Sequence, residues 1–384
     1  MGTMRVQPAR VGAIGTRPSS GIWSNFDLQL ALYALALAVV GLLMAYTSSG
    51  GTPLAAGSIF TRGLMWLAIA IVMFTVAASI DYRWLKTLAW PVYFVNLGLL
   101  VLTLVVGSGV GGVSRWVTIG PVQFQFSELA KILMAVVLAN YLAGRQGKLK
   151  SLSTTLGAFL LVMPALALVL VQPDLGTSLV FGAILFGSLF LSGAGLRWLL
   201  IAAAGVLAMV PVAWTYILED YQRRRLISFL DPAADPQNSG YQLLQSQIAV
   251  GSGGLFGKGL TNGSQTQLDY LPVSATDFVG ATLAEELGFV GGTVLLLLFA
   301  MLLWRILVVG WRARDPFGLS FAAAIASMLL FQLMVNFGMV LGMMPVTGIP
   351  LPFVTHGGAS LTSYAIGLGI LQSVAMRPGR GADW

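Results

Sequence analysis

One aspartate, Asp277, lies just before a long apolar stretch that begins at position 279. A carboxylate at the mouth of an outward-facing cavity could act as a general base. Ser274 precedes it by three residues, as in a helix capping box, so an acid that only complements the helix dipole is the alternative. Glu285 and Glu286 follow two turns further along, where an acid at membrane depth indicates function unless it stays solvated near the interface.

Basic residues that could bind a phosphate lie in two other segments. Glu128 and Lys131 are three residues apart at the start of an apolar stretch, so they share one helix face. Arg115 stands beside Trp116 in a glycine-rich segment, and Arg115 and Lys131 could together face a pyrophosphate. The alternatives are a self-neutralised ion pair at the membrane interface for Glu128 and Lys131, and an interfacial anchor for Arg115.

A third candidate for phosphate binding is the glycine-rich run around Lys258. Its glycines stand at positions 251, 253, 254, 257 and 259, so backbone N–H groups and one cation could cradle a phosphate. The spacing matches neither a P-loop nor a dinucleotide fingerprint, and a flexible re-entrant hairpin at the membrane surface is the alternative. Asp174 follows Pro173 in a short polar junction, where a turn or capping role is favoured over catalysis. The lone histidine, His356, is assigned no role.

The composition decides which class of protein must position these side chains. Of the 384 residues, 57% are apolar and 9% are charged, whereas a soluble domain carries about 25% charged residues. A soluble enzyme, a disordered protein and a fibrous protein are thereby excluded, and a polytopic membrane protein remains. Because the chain has no cysteine and one histidine, disulfides, thiolate nucleophiles and Cys- or His-rich metal sites are excluded as well.

The apolar stretches predict an all-α polytopic membrane protein with about ten transmembrane helices, since open sheet edges cannot face lipid. The predicted spans are 28–47, 63–80, 87–106, 127–143, 155–172, 175–193, 198–217, 279–304, 317–340 and 361–376. Spans five and six meet at residues 172–175, which indicates a very tight turn or a broken helix. One membrane domain, 26–377, lies between tails at 1–25 and 378–384. Its large loop, 218–277, is predicted to be functional rather than disordered because it is rich in Tyr, Phe, Leu and Ile.

The distribution of Lys and Arg predicts the orientation of these spans. With ten spans, the N-terminus, the even-numbered loops and the C-terminus share one side, which carries 14 of the 21 basic residues. The short loops on the other side carry only Arg62 and Arg115, and a long loop such as 218–277 counts little. Both termini are therefore predicted to be cytoplasmic, with the large loop outside. The net charge of +7 is explained by these cytoplasmic loops rather than by nucleic-acid binding.

Several of these segments, in this order, resemble the SEDS family of bacterial cell-wall synthesis, which includes RodA, FtsW and SpoVE. The resemblance extends from about Phe26 to the last span. It is carried by residues 115–116, 127–131 (Ser-Glu-Leu-Ala-Lys), 172–177 (Gln-Pro-Asp-Leu-Gly-Thr), 221–223 (Tyr-Gln-Arg), 251–254, 257–259, 276–278 (Thr-Asp-Phe) and 345–353. Residues 263–268 and 348–350 are more similar to the rod-shape branch, RodA, than to the division branch.

The resemblance implies a peptidoglycan glycosyltransferase that polymerises lipid II on the outer face of the bacterial cytoplasmic membrane during cell elongation. It implies that Asp277 is the catalytic aspartate, which we interpret as the general base. The candidates for contact with the pyrophosphate or the rest of the substrate are Arg115, Glu128, Lys131, Asp174, Arg223 and Lys258. A divalent cation, Mg²⁺ or Mn²⁺, could assist at the pyrophosphate, and the sequence leaves this open.

Some neighbours of the aspartate depart from the family pattern. The usual His-Thr-Asp-Phe has Ala275 in place of the histidine. Val273 stands where the family has Glu, Phe126 where it has Pro, and His356 where it has Tyr. The carboxylate itself is retained.

The resemblance also implies a partner, a class B penicillin-binding protein that acts as a transpeptidase within the elongation machinery. Two other functions remain open on the residues alone. A lipid II flippase or another transporter would explain Glu128 and Lys131 within a span and the break near Pro173, although the polar segments are concentrated on one face and no inverted repeat is evident. A scaffold that recruits a cell-wall enzyme is the third hypothesis.

Overall fold

The structure, a computed structural model, describes residues 22–49, 53–55, 57–107, 115–119, 122–268, 270–271, 276–313, 315–355 and 357–377. The helices are α1 (Leu28–Thr47), α2 (Ile59–Ser79), α3 (Tyr82–Thr87), α4 (Ala89–Val106), α5 (Phe126–Ala143), α6 (Leu152–Val171), α7 (Leu175–Leu191), α8 (Leu196–Ala208), α9 (Val210–Tyr216), α10 (Asp220–Leu230), α11 (Ser239–Gly253), α12 (Ser264–Gln267), α13 (Val279–Arg312), α14 (Pro316–Val340) and α15 (Gly358–Met376). A hairpin of two antiparallel strands, β1 (Val117–Ile119) and β2 (Val122–Phe124), precedes α5.

Most of these helices are membrane spans. Within the described ranges, nine are long and apolar enough to cross a membrane, if α8 and α9 are counted as the single span Leu196–Tyr216. Helix α7 is equally apolar but has 17 residues, which is near the lower limit for a span. The chain is therefore an all-α, multi-pass membrane protein with about ten spans, as predicted.

Two spans differ from their predicted form. The seventh consists of α8 and α9, which meet at Met209, since Pro211 in the first turn of α9 has no N–H to continue the helix. The eighth extends to Arg312 instead of 304, and it is broken at Gly288, where φ is 67° and ψ is −164°. Hydropathy alone does not reveal such a break because glycine is common in membrane helices.

The junction between predicted spans five and six is a tight turn. Helix α6 ends at Val171, and Asp174 is already the N-cap of α7. Its carboxylate accepts a hydrogen bond from the N–H of Thr177 at 3.1 Å. The predicted turn and the predicted capping role of Asp174 are both observed.

Small residues let the central helices approach closely. Helix α15 packs on α2 and α5, and α14 packs on α5, α7 and α13. A Cβ atom on Gly369 would lie 2.6 Å from the carbonyl oxygen of Phe74, and one on Gly41 would lie 2.6 Å from that of Phe353. Only glycine permits these contacts between backbones. Close packing of this kind stabilises the association of helices in lipid, where the hydrophobic effect does not drive it.

The large segment before α13 is folded. It contains α10, α11 and α12, and α11 packs against α13. Helix α10 begins with a capping box, in which the N–H of Glu219 donates to the side chain of Gln222 at 3.0 Å. These helices lie at the end of the bundle where α5, α7 and α13 begin.

Candidate active site

Asp277 lies two residues before α13 begins and faces Arg225 of α10. A Cβ atom built on Gly348 would lie 3.5 Å from Arg225 Nη1 and 3.6 Å from Asp277 Oδ2, so the two charged groups flank the same point. Burial raises the pKa of Asp277, and the positive charge of Arg225 is the strongest opposing influence, followed by a hydrogen bond from Thr276 and the charge of Arg115. The carboxylate is thus partly desolvated but kept beside cations, which suits a general base.

The backbone at Asp277 is anchored by side chains from two other segments. Asn336 of α14 donates from Nδ2 to the carbonyl oxygens of Asp277 at 3.0 Å and Ile349 at 2.9 Å. The hydroxyl of Thr355 donates to the carbonyl oxygen of Thr276 at 3.2 Å. Neither Asn336 nor Thr355 is among the predicted site residues. A fully buried asparagine within a span is the signal that could have identified Asn336, because polar groups at membrane depth are costly.

Arg115, a predicted site residue, links the hairpin segment to two other elements. Its Nε donates to the carbonyl oxygen of Gln172 at 3.2 Å, and its Nη2 donates to the carbonyl oxygen of Pro173 and to the hydroxyl of Tyr221 at 2.8 Å. The Tyr221 hydroxyl also donates to Pro173. Arg115 therefore ties β1 to the turn before α7 and to α10, while its charge acts on Asp277.

A small cleft lies beside these residues. Asp277 is next to it, since Arg225 faces Asp277 and also lines the cleft. The polar and charged side chains that line it are Arg115, Asp174, Tyr221, Gln222, Arg225 and Thr347. The structure thus brings three of the predicted residues, Asp277, Arg115 and Asp174, into one region.

Asp174 combines the capping role with a place at the cleft. Its Oδ2 accepts from the hydroxyl of Thr177 at 2.8 Å and from Nε2 of Gln125 at 3.2 Å. Its charge also reaches Asp277, whose pKa it raises slightly. The described donors in these contacts, from Thr177 and Gln125, are all neutral.

Glu128 and Lys131 form an ion pair that is buried among the helices. Lys131 Nζ lies 2.7 Å from Glu128 Oε1, and the side chains are 1% and 2% exposed. Lys131 Nζ also lies 5.6 Å from the centre of the Tyr364 ring, whose hydroxyl accepts from Gln332 at 2.9 Å. The pair is self-neutralised, as one interpretation of the sequence proposed, but it is buried between α5 and α15.

Arg223 points away from the cleft. Its Nη2 donates to the carbonyl oxygen of Thr215 at 3.1 Å, and its Nη1 lies 3.6 Å from Asp220. Arg225, which the sequence analysis did not select, takes the place expected for Arg223. Helix geometry could have identified it, because residues two apart lie about 200° apart around a helix whereas Tyr221 and Arg225, four apart, share a face.

Lys258 and the glycine-rich run do not form a free phosphate cradle. Lys258 Nζ lies 2.6 Å from Glu285 Oε1 and 2.9 Å from Ser264 Oγ. The N–H groups of Gly257, Lys258 and Gly259 already donate to backbone carbonyl oxygens at 2.8, 3.0 and 3.0 Å. The predicted hairpin is closer to what is observed, although it packs against α13.

In the part of the chain that the structure describes, no three His, Asp or Glu side chains meet in a group that could hold a metal ion. Val273, Ser274, Ala275 and His356 lie outside the described residues, and so does the predicted capping box of Ser274.

Known proteins resemble the chain over almost its whole length. The family model described as cell cycle protein, for FtsW, RodA and SpoVE, matches residues 28–378. The peptidoglycan glycosyltransferase MrdB of Escherichia coli K12 is 39% identical over 350 residues, which cover 91% of this chain and 93% of MrdB. Stage V sporulation protein E of Bacillus subtilis is 36% identical over 356 residues, which cover 91% of this chain and 96% of that protein.

Solved structures share the fold. The rod shape determining protein RodA of Thermus thermophilus matches with a TM-score of 0.68 and 30% identity, over 92% of this chain and 98% of RodA. A chain from a peptidoglycan synthase complex, described as coordinating polymerization and crosslinking, matches with a TM-score of 0.78 and 32% identity, again over 92% and 98%.

Proposed function

The chain belongs to the FtsW, RodA and SpoVE family of cell cycle proteins and is a peptidoglycan glycosyltransferase, and we propose that it polymerises lipid II with Asp277 as the general base. The observation that carries the proposal is the position of Asp277. It is partly buried, faces Arg225, and lies beside a cleft that contains a second guanidinium, that of Arg115. A base close to cations is the arrangement that transfer of a sugar from a pyrophosphate requires.

The reaction joins two lipid-linked sugars. A hydroxyl oxygen of the acceptor sugar attacks the anomeric carbon of the donor, and Asp277 takes the hydroxyl proton. A new glycosidic bond forms while the bond between that carbon and the pyrophosphate oxygen breaks. Arg225 and Arg115 stabilise the negative charge that develops on the leaving lipid pyrophosphate. The protonated Asp277 then releases its proton to water, which restores the enzyme.

We propose that three further residues contribute to this reaction. Glu128 and Lys131 lie on the membrane side, and Asp174 lies at the edge of the cleft. A buried charged pair at membrane depth is costly and indicates function by default. The Glu128–Lys131 pair lies in the candidate span Phe126–Ala143, with less than 3% of either side chain exposed. We assign Lys131 to the part of the substrate nearest the lipid, and Asp174 to the polar end of the cleft.

The orientation and the partner are also proposals. The excess of Lys and Arg in alternate loops supports cytoplasmic termini and an outward-facing site in the bacterial cytoplasmic membrane. The likeness to a chain of a peptidoglycan synthase complex supports a transpeptidase partner, a class B penicillin-binding protein. The similarity to MrdB and RodA supports a role in cell elongation.

A transport function is not favoured. The relatives that cover more than nine-tenths of the chain include proteins named peptidoglycan glycosyltransferases. The charged groups that flank Asp277 also converge at one end of the bundle rather than at its midplane, where transporters place their sites.

The deciding experiment is polymerisation of lipid II by the purified protein in detergent, with and without the co-purified transpeptidase. An enzyme makes glycan chains without a sealed membrane, whereas a flippase requires sealed vesicles and a scaffold does neither. We expect glycan chains in detergent. Lipid II movement in vesicles without any glycan in either preparation would contradict the proposal.

A further inference from the structure

The break at Gly288 divides α13 into a first half, residues 279–287, and a second half, residues 289–312. Gly288 has a φ of 67°, which glycine adopts without a steric penalty. The first half is buried along most of its length, and Asp277 lies at its N-terminal side. At membrane depth, the backbone groups that a break deprives of helical partners must be paired elsewhere.

The glycine-rich segment 254–259 supplies those partners. Four backbone hydrogen bonds join it to the break: Phe289 N–H to Gly254 O (2.9 Å), Val290 N–H to Leu255 O (3.1 Å), Lys258 N–H to Glu285 O (3.0 Å) and Gly259 N–H to Glu286 O (3.0 Å). A Cβ atom on Gly257 would lie 2.1 Å from the carbonyl oxygen of Glu286, so only glycine allows this approach. The segment therefore provides hydrogen-bond partners for the backbone groups at the break in α13.

The Lys258 side chain adds a further contact between segment 254–259 and α13. Its Nζ lies 2.6 Å from Glu285 Oε1, which also accepts from the hydroxyl of Ser264 at 3.2 Å and the N–H of Gln265 at 3.1 Å. Glu285 is fully buried, whereas 29% of the Lys258 side chain is exposed. The cation also stands at the C-terminal end of the first half, where a positive charge favours the helix dipole.

We propose that Lys258 and Glu285 are positioning residues that lock the first half of α13 onto segment 254–259 and thereby hold Asp277 opposite Arg225. This inference rests on the proposed role of Asp277 as the base. Phe278 alone separates Asp277 from the first half, so a shift of that half moves the carboxylate. Asn336 anchors the carbonyl of Asp277 from α14, and the Lys258–Glu285 pair fixes the opposite end of the same half helix.

The test compares three variants of the full-length protein: Lys258→Met, Glu285→Gln and the double variant. Lys258→Met leaves the fully buried carboxylate of Glu285 without its cation, while Glu285→Gln leaves a partly exposed lysine that can turn to solvent. We therefore expect Lys258→Met to be the most harmful to folding, and the double variant, which buries no unpaired charge, to fold while lacking the lock. Hydrogen exchange of residues 279–287 and 254–259 reports the lock, and lipid II polymerisation reports its effect on Asp277.

In Lys258→Met we expect faster exchange in both segments and a fall in kcat of roughly 10- to 100-fold with little change in KM, as for a misplaced catalytic group. The double variant should fold but keep the faster exchange and the lowered kcat, because it has neither group of the ion pair. If Lys258→Met does not fold, the double variant decides: normal exchange together with a wild-type rate in it contradicts the proposal. An unchanged rate in Lys258→Met contradicts the proposal.

The double variant also separates the lock from a substrate contact. If it is as slow as Lys258→Met while its exchange is normal, Lys258 contacts the substrate and the lock is wrong. The exchange measurement does not depend on the chemistry of Asp277. If Asp277→Asn polymerises normally, the base is misassigned, and the exchange results still decide whether Lys258 and Glu285 lock α13.

Discussion

Arg225 Nη1 and Asp277 Oδ2 both lie within 3.6 Å of the position that a Cβ atom on Gly348 would occupy. The two charges come from α10 and from the start of α13, and Gly348, in the segment between α14 and α15, lies beside both of them. Gly348 also has a φ of 73°, which disfavours any other residue. The pairing of base and cation therefore depends on three separate segments of the chain.

Replacing Arg225 by Gln should slow polymerisation and shift its pH dependence. Arg225 is the strongest influence that lowers the pKa of Asp277, so its removal raises that pKa further. Because the base works only when ionised, the acidic limb of kcat/KM should move to higher pH. The loss of rate should thus be larger near about pH 6 than near about pH 8, measured on lipid II with purified protein.

Arg224→Gln is the matched control, since Arg224 is exposed on the same helix. It should change neither the rate nor the pH profile by much. If Arg225→Gln keeps the wild-type pH profile, Arg225 does not act on the base.

The membrane architecture and part of the site could be predicted from the sequence. Hydropathy is a local property of the sequence, and it identifies the stretches that are long and apolar enough to cross a membrane. The spans, and the turn at Pro173 between two of them, could therefore be predicted. Asp277, Arg115 and Asp174 could be selected because charged residues are rare in such a chain. All three residues lie in segments that connect helices on the same side of the bundle, which explains why they come together near one cleft.

Other features depend on geometry that a linear pattern does not contain. Arg223 and Arg225 are equivalent as charges, and only the rotation of α10 decides which one faces Asp277. The bond from Asn336 to Asp277 joins distant parts of the chain, so neither residue predicts it. The glycines near Lys258 suggested phosphate binding, but they serve close contact with α13, and the two uses have the same local pattern.

Replacing both Glu128 and Lys131 by uncharged residues should separate the structural role of this buried ion pair from its role in the reaction. Replacement of a buried ion pair by apolar or neutral residues of similar size is often neutral, or stabilising by about 1–4 kcal/mol. The double variant Glu128→Gln/Lys131→Met should therefore remain folded, with a melting temperature close to that of the wild type. If Lys131 contacts the substrate, polymerisation should nevertheless fall by at least about tenfold, as for loss of a charge-assisted contact of about 1.4 kcal/mol or more.

The single variants provide the comparison. Lys131→Met leaves Glu128 as an unpaired buried charge, which should destabilise the fold by about 3–5 kcal/mol. A stable double variant with wild-type polymerisation would show that the pair has no role in the reaction.

The predicted orientation can be tested by cysteine labelling, since the chain has no native cysteine. Lys148 and Gln237 are exposed, and they lie on opposite sides of the membrane in the predicted topology. An impermeant thiol reagent applied to spheroplasts should label Gln237→Cys but label Lys148→Cys only after lysis. Labelling of position 148 before lysis would overturn the orientation and place the Asp277 site in the cytoplasm.

The role of Asp277 is tested most directly by Asp277→Asn. If the residue only complements the dipole of α13, Asn should serve nearly as well, because the lost charge–dipole interaction is worth about 0.3–1 kcal/mol. If it is the base, Asn cannot accept the proton, and the rate should fall by roughly 10²–10⁴. We therefore expect a protein that is expressed, folds and binds its partner but does not polymerise lipid II.

Asp235→Asn is the matched control for that loss, because Asp235 lies in the same large segment, 218–277, and has a structural role. It accepts from Asn238 at 3.0 Å and from the hydroxyl of Ser239 at 2.9 Å, and these hydrogen bonds lower its pKa. Asn at position 235 retains acceptor capacity, so the rate should stay within a few-fold of wild type. Near-normal polymerisation by Asp277→Asn, at matched expression, would instead move the base to another carboxylate, with Glu286 or Asp174 as the next to examine.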